Sequence, residues 1–193
     1  MIVTKKALTL LTLTLAAAGA YATDYYVAMT GNDSNDGSSE SPFATIDKAV
    51  STAVAGDNIY VEAGEYTTST ANGPDLRANL IGQGTTRDDV IIKAGSSART
   101  LKMESGSLVT NITFIGNTAN VVANGGTIYM AGGSLVDCVV SNGIAKTSGG
   151  NVYMVGGGVI DTIISDGISN GTGWADGGGN VFKIGRASCR ERV

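Results

Sequence analysis

From Asn58 onward the apolar positions fall in runs of three to five residues, rich in Val and Ile and divided by Gly-Gly, Asn-Gly or Gly-Ser. Runs this short and this β-branched predict strands, because a helix needs a longer stretch with a 3.6-residue period. The runs also recur. The segment Gly125 to Ala145 aligns without gaps on Gly149 to Ser169 at an offset of 24, with ten of 21 positions identical. A looser copy lies upstream, from Gly106 to Phe114.

A strand of three residues cannot bury a face by itself. Stacked coil on coil, about 4.8 Å apart, each strand pairs with its own equivalent and a continuous core results. A β-sandwich also uses short strands but has no reason to repeat the same residues at constant spacing. The expected fold is therefore all-β, a right-handed parallel β-helix, with Val136 and Ile160 in equivalent surroundings.

A solenoid exposes its first coil and needs a cap. The stretch before Asn58 predicts one: strand Tyr25-Tyr26-Val27, a polar loop from Gly31 to Glu40, and a short capping helix opened by Ser41-Pro42 and running to Ala55. Serine suits an N-cap and proline a first helical turn. Phe43, Ile46, Val50, Ala53 and Val54 would share the apolar face. Asn58 to Tyr66 then reads as the first strand and turn of the coil, so residues 23–66 form cap and first coil and residues 67–183 the repeats.

Composition agrees with that pattern. Among 193 residues there are 28 glycines, two prolines and no histidine, a mixture suited to strands joined by tight turns. The first 22 residues read differently. Lys5 and Lys6 precede an apolar run from Ala7 to Gly19, followed by Ala20-Tyr21-Ala22, which is the grammar of a secretory signal peptide. The run is shorter than the roughly 20 apolar residues that cross a bilayer. The expectation is export to the medium, cell surface or outer membrane, with no membrane span once the leader is removed. Between Thr23 and Lys183 there are eight Lys plus Arg against sixteen Asp plus Glu, a formal charge of −8. Such a chain repels polyanions, which argues against nucleic acid and leaves neutral glycans open as partners.

The strand pattern stops near Lys183. Residues 184–193 carry three arginines and no strand periodicity, and they read as translated library adapter following a truncated gene. Cys189 falls in that tail, which leaves Cys138 alone in an apolar strand as a small buried hydrophobe, with no disulfide expected.

With these residues in view, the chain resembles the pectin-lyase-like right-handed parallel β-helix superfamily. The resemblance rests on Tyr25-Tyr26-Val27 with Gly31-Asn32-Asp33 and Gly37, on Ser41 to Ala49, and on Gly56 to Val61 with Gly64 and Tyr66. Leu80 to Gly84 and Val90-Ile91-Ile92 look like its next coil. Phe114-Ile115-Gly116-Asn117 followed by Gly125-Gly126-Thr127-Ile128 is similar to the FxxN and GG[AIL] repeats of polymorphic outer-membrane autotransporter adhesins, although FxxN occurs once here. The superfamily resemblance implies two kinds of chemistry. Its lyases abstract a proton with a basic residue beside Ca²⁺, and its hydrolases use clustered aspartates.

Lys146 is the one basic residue from Gly106 to Phe182, so no lyase site is expected in the repeats and no catalytic residue is assigned. Asp137 and Asp161 occupy equivalent repeat positions, with Asn111 one coil earlier. They read as a structural ladder at a recurrent turn, bonded to backbone amides. Asp33 and Asp36, in the loop Asn32 to Gly37, are candidate Ca²⁺ ligands, since hard cations want several oxygens from a flexible turn; no other cofactor is expected. Tyr129 and Tyr153 form a repeated aromatic position that would stack on sugars if they face outward, but sequence alone does not fix the register. The functional expectation is an exported, adhesin-like surface scaffold contacting extracellular polysaccharide or a host or cell surface, with the N-terminal part of a polysaccharide lyase or glycoside hydrolase whose catalytic coils are missing as the alternative.

Overall fold

The computed structural model describes residues 21–95, 99–117, 122–172, 177–184 and 188–190. Residues 1–20, which hold most of the expected signal peptide, lie outside them. The chain winds as a right-handed parallel β-helix of about four turns, with one short helix. The first sheet has seven strands: Asp24–Val27, Asn58–Val61, Asn79–Gly82, Leu108–Thr110, Ser134–Val136, Gly158–Ile160 and Ser188–Arg190. The second has five: Gly64–Thr68, Val90–Ala94, Thr113–Ile115, Val139–Ser141 and Ile163–Ser165. The third also has five: Asp75–Leu76, Leu101–Met103, Ile128–Met130, Val152–Met154 and Val181–Lys183. Val122–Asn124, Ile144–Ser148 and Ile168–Ser169 add a small fourth wall.

The 24-residue offset is the strand register itself. Ile128 to Met130 pair with Val152 to Met154, Ser134 to Val136 with Gly158 to Ile160, and Val139 to Ser141 with Ile163 to Ser165, all in parallel. Val136 and Ile160 therefore meet across adjacent coils. Alternation along each strand sends every second side chain inward. The inner rows Ile59, Leu80, Val109, Leu135 and Val159 of the first sheet, and Tyr66, Ile92, Phe114 and Val140 of the second, are all buried. Met103, Met130 and Met154 stack as one column inside the third sheet. Cys138 joins this core; burial pushes its thiol up to about 12.

The cap differs from its sequence-based outline. The helix spans Ile46–Thr52, with Thr45 as N-cap accepting from the Lys48 amide at 3.1 Å. Ser41-Pro42 does not open it, because Phe43 is held in a parallel bridge to Val27, donating to the Tyr26 carbonyl and accepting from the Ala28 amide. Ile46, Ala49 and Val50 are the buried helical residues, whereas Val54 lies beyond the helix and is 63 % exposed. The tail differs too. Ser188–Arg190 pairs in parallel with Gly158–Ile160 despite lacking strand periodicity, since an open parallel edge offers amides and carbonyls to any backbone. Among the described residues no helix is long and apolar enough to cross a membrane.

Candidate functional site

The outer face of the third sheet presents one residue per coil. Its register aligns Asp75, Lys102, Tyr129, Tyr153 and Phe182 in a single outward row. Both sequence-nominated tyrosines thus face out, flanked on each strand by buried residues such as Ile128 and Met130. Their ring faces, however, are turned to one another. Tyr129 and Tyr153 stack with centroids 5.4 Å apart, as do Tyr153 and Phe182, and the Arg99 guanidinium lies 5.2 Å from the Tyr129 centroid. A sugar approaching this column meets ring edges and hydroxyls at Tyr129 rather than an open aromatic face.

At the head of the row a cleft of about 410 Å³ opens beside the connection before Asp75, lined by Thr70, Asn72, Asp75, Arg99, Lys102 and Tyr129. Lys102 Nζ bridges Asp75 at 3.0 Å and Glu104 at 2.9 Å. The hydrogen bonds it donates to Glu104 and Asp75 raise its pKa, so the ammonium form is reinforced and proton abstraction is disfavoured. Arg99 is only 7 % exposed. It donates to the carbonyls of Gly125 at 2.8 Å and Asn72 at 3.0 Å and to that of Asn124, fastening the cleft loop to the next coil. Burial depresses its pKa, with Tyr129 and Asp75 opposing.

The other nominated residues lie elsewhere. Asn111, Asp137 and Asp161 sit at the corner between the first and second sheets, with φ of 58°, 50° and 48°. They follow the in-register residues Thr110, Val136 and Ile160 on successive coils, but the side chains of Asn111 and Asp137 bond groups other than the backbone amides that turn chemistry predicts. Asn111 donates to the carbonyls of Gly82 and Gly84, at 3.0 and 2.8 Å, and Asp137 pairs with Arg87 at 3.0 Å. The reason is local: the loop Gly84 to Asp89 folds across this corner, and Arg87 reaches on to the Asp161 carbonyl at 3.1 Å. Asp33 is occupied by the cap, accepting from the Ala44 and Thr45 amides at 2.9 and 3.0 Å and from the Thr45 hydroxyl at 2.7 Å. Asp36 accepts from the Ser38 amide, which lowers its pKa. Among the described residues no three His, Cys, Asp or Glu side chains gather as a metal set.

Sequence reasoning missed Asp75, Arg99, Lys102 and Glu104. The signal was present in methionine: aligning Leu101-Lys102-Met103 with Ile128-Tyr129-Met130 requires an offset of 27 instead of 24, and it places Lys102 in the tyrosine row.

The chain belongs to the family described as protein of unknown function (DUF1565), whose profile matches residues 29–182. A solved structure of a rhamnogalacturonan lyase is similar to it, with a TM-score of 0.50 and 18 % sequence identity, over 88 % of this chain and 51 % of that one. The chain thus spans about half the length of that lyase, and at this identity the likeness is one of fold. No curated protein sequence matches.

Proposed function

We propose that this chain is an exported β-helix scaffold, adhesin-like and non-catalytic over the coils described, that contacts glycan along the outer face of its third sheet. The observation that carries the reading is the state of Lys102. It is the basic residue of the outward row, and two carboxylates hold it protonated beside Tyr129 and an open cleft. A lysine that must abstract a proton needs a depressed pKa, whereas one that orders acceptors for recognition works best charged. Export is proposed on the leader at residues 1–22, and a neutral glycan on the acidic balance of the chain. The alternative, a part of a polysaccharide lyase or hydrolase with its catalytic coils elsewhere, draws support from the shared fold, but fold alone does not assign activity.

The test is a paired assay on the purified chain. Expected are retention of neutral oligosaccharides on an affinity column and no unsaturated products from pectin or polygalacturonate, with or without Ca²⁺. Steady release of unsaturated oligosaccharides would replace this reading with the lyase.

A further inference from the structure

The cleft floor holds a group whose bonding is incomplete. A guanidinium has five N–H donors. Three hydrogen bonds engage Arg99, all to main-chain carbonyls, beside its contact with the Tyr129 ring, and among the described residues no carboxylate pairs with it. Arg99 is 7 % exposed as a residue, yet it lines the cleft. Two donors are therefore left without an acceptor among the described residues, on a side chain that lines the cleft, and an unfilled donor beside a buried charge is costly unless an acceptor arrives.

The same cleft also carries an acceptor. The Asp75 carboxylate, 51 % exposed, lines the same cleft and uses Oδ1 on Lys102. The charges of Asp75, Arg99, Lys102 and Glu104 sum to zero, so the cleft has no net attraction for an anion, and the acidic chain around it repels one. An apolar ligand would leave the guanidinium donors unmet. A neutral group that accepts and donates at adjacent atoms satisfies both sides at once.

Resting on the glycan reading above, we infer that the cleft is a subsite for one neutral sugar residue bearing a vicinal diol, with Arg99 donating to one hydroxyl oxygen and Asp75 accepting from its neighbour. Asn72 and Thr70 border the ring on the loop side, and the Tyr129 edge closes the other. Because the outward row runs along the solenoid axis, the rest of an extended glycan continues past Tyr153 towards Phe182. The cleft thus sets which residue is recognised, and the column sets the direction of the chain.

The experiment titrates the full chain with two probes, a pool of neutral β-1,4-linked hexasaccharides and a pool of oligogalacturonates, by calorimetry. The neutral pool is expected to bind. Asp75→Ala should weaken it about tenfold, the loss of one charge-assisted hydrogen bond, with partial rescue by Asp75→Asn, which keeps an acceptor. Thermal melts of both variants monitor folding, and Arg99→Lys, which keeps the charge but loses the fork, should weaken binding alongside. Neutral binding indifferent to Asp75 and Arg99 would overturn the subsite while leaving the glycan reading intact. Binding of the acidic pool alone would overturn the neutral class. Binding of neither pool would remove the subsite and the glycan contact together.

Discussion

The later coils turn two of their corners in different ways, and the two solutions are opposites. Between the first and second sheets a single residue in the left-handed region swings the chain: Asn111, Asp137 or Asp161, with its side chain outward and Ile112, Cys138 or Thr162 tucked inside. Before the last three third-sheet strands the turn is made by Gly125-Gly126-Thr127, Gly149-Gly150-Asn151 or Gly178-Gly179-Asn180, and at Thr127 and Asn151 the polar side chain goes in. Thr127 and Asn151 are fully buried. The first corner places strain in the backbone, at the residue types that tolerate it best outside glycine. The second removes the side chains in the way and hides an amide in the core. A Cβ on Gly150 would stand 2.2 Å from both the Gly179 oxygen and the Ile168 nitrogen. One corner is held by what it shows to solvent, the other by what it conceals.

The comparison is broken most directly at Asn151. Its Oδ1 accepts from the Gly143 amide at 2.7 Å and the Thr127 hydroxyl at 3.1 Å, while Nδ2 donates to the Ser165 carbonyl and to Asn180 Oδ1 at 3.1 Å. One side chain therefore ties three coils together. Asn151→Ala orphans the buried Gly143 amide and leaves the Thr127 hydroxyl only its longer bond to the Ser141 carbonyl at 3.4 Å, and a loss of about 1–3 kcal/mol in urea unfolding is expected, the scale of one unsatisfied buried group. A loss under about 0.5 kcal/mol, the scale of an ordinary surface change, would mean that the second corner is held by its glycines alone.

The interior of the first corner carries a pH signature that the second lacks. Burial raises the Cys138 thiol from 9.0 to about 12 in the folded chain. A raised folded pKa gives stability that is fully present below the unfolded value and is lost as pH climbs through the folded one. The chain should therefore weaken steadily between about pH 9 and pH 12. Tyr66, pushed from 10.0 to about 12 by burial, adds to the upper part of that window. Cys138→Ala should lower stability at neutral pH by a small cavity cost and flatten the alkaline slope. Unchanged alkaline melting in that variant would show that the thiol is not what titrates.

The two corners also differ in how far the sequence reveals them. Asp137 and Asp161 repeat as identical residues because the left-handed turn admits few types, so the ladder position is legible. At the second corner the inward residue changes from Thr100 to Thr127 to Asn151, and only the preceding glycines recur in the last two of these coils. The bonding of Asn151 to Gly143 and Ser165 depends on two walls meeting, which no single repeat displays. The same limit hid the cleft. Tyr129 and Tyr153 announce themselves by identity at an offset of 24, but Asp75 and Lys102 enter that row through coils of other lengths and other chemistry. The helix start was misjudged for a related reason: Ser41-Pro42 has the local chemistry of an N-terminus, yet the long-range bridge between Phe43 and Val27 takes precedence over it. What each residue must share with its own counterpart is visible in one dimension; what it shares with a different wall is not.

The mildest test separates backbone strain from charge at the first corner. Asp137 has φ of 50°, and its ion pair with Arg87 joins side chains that are 57 % and 28 % exposed. An exposed pair contributes at most about 1 kcal/mol and is screened by salt, whereas an ordinary residue forced into the left-handed region costs roughly 1–2 kcal/mol. Asp137→Asn keeps the turn chemistry and removes the charge, so its loss should be small and should vanish at high salt. Asp137→Ala removes both and should lose more, with a remainder that persists in salt. Asp137→Gly relaxes the strain and should fall nearer to the Asn variant. If the Ala and Asn variants unfold at the same urea concentration in high salt, the corner is held by Arg87 rather than by its left-handed residue, and the loop from Gly84 to Asp89 becomes the structural element to dissect.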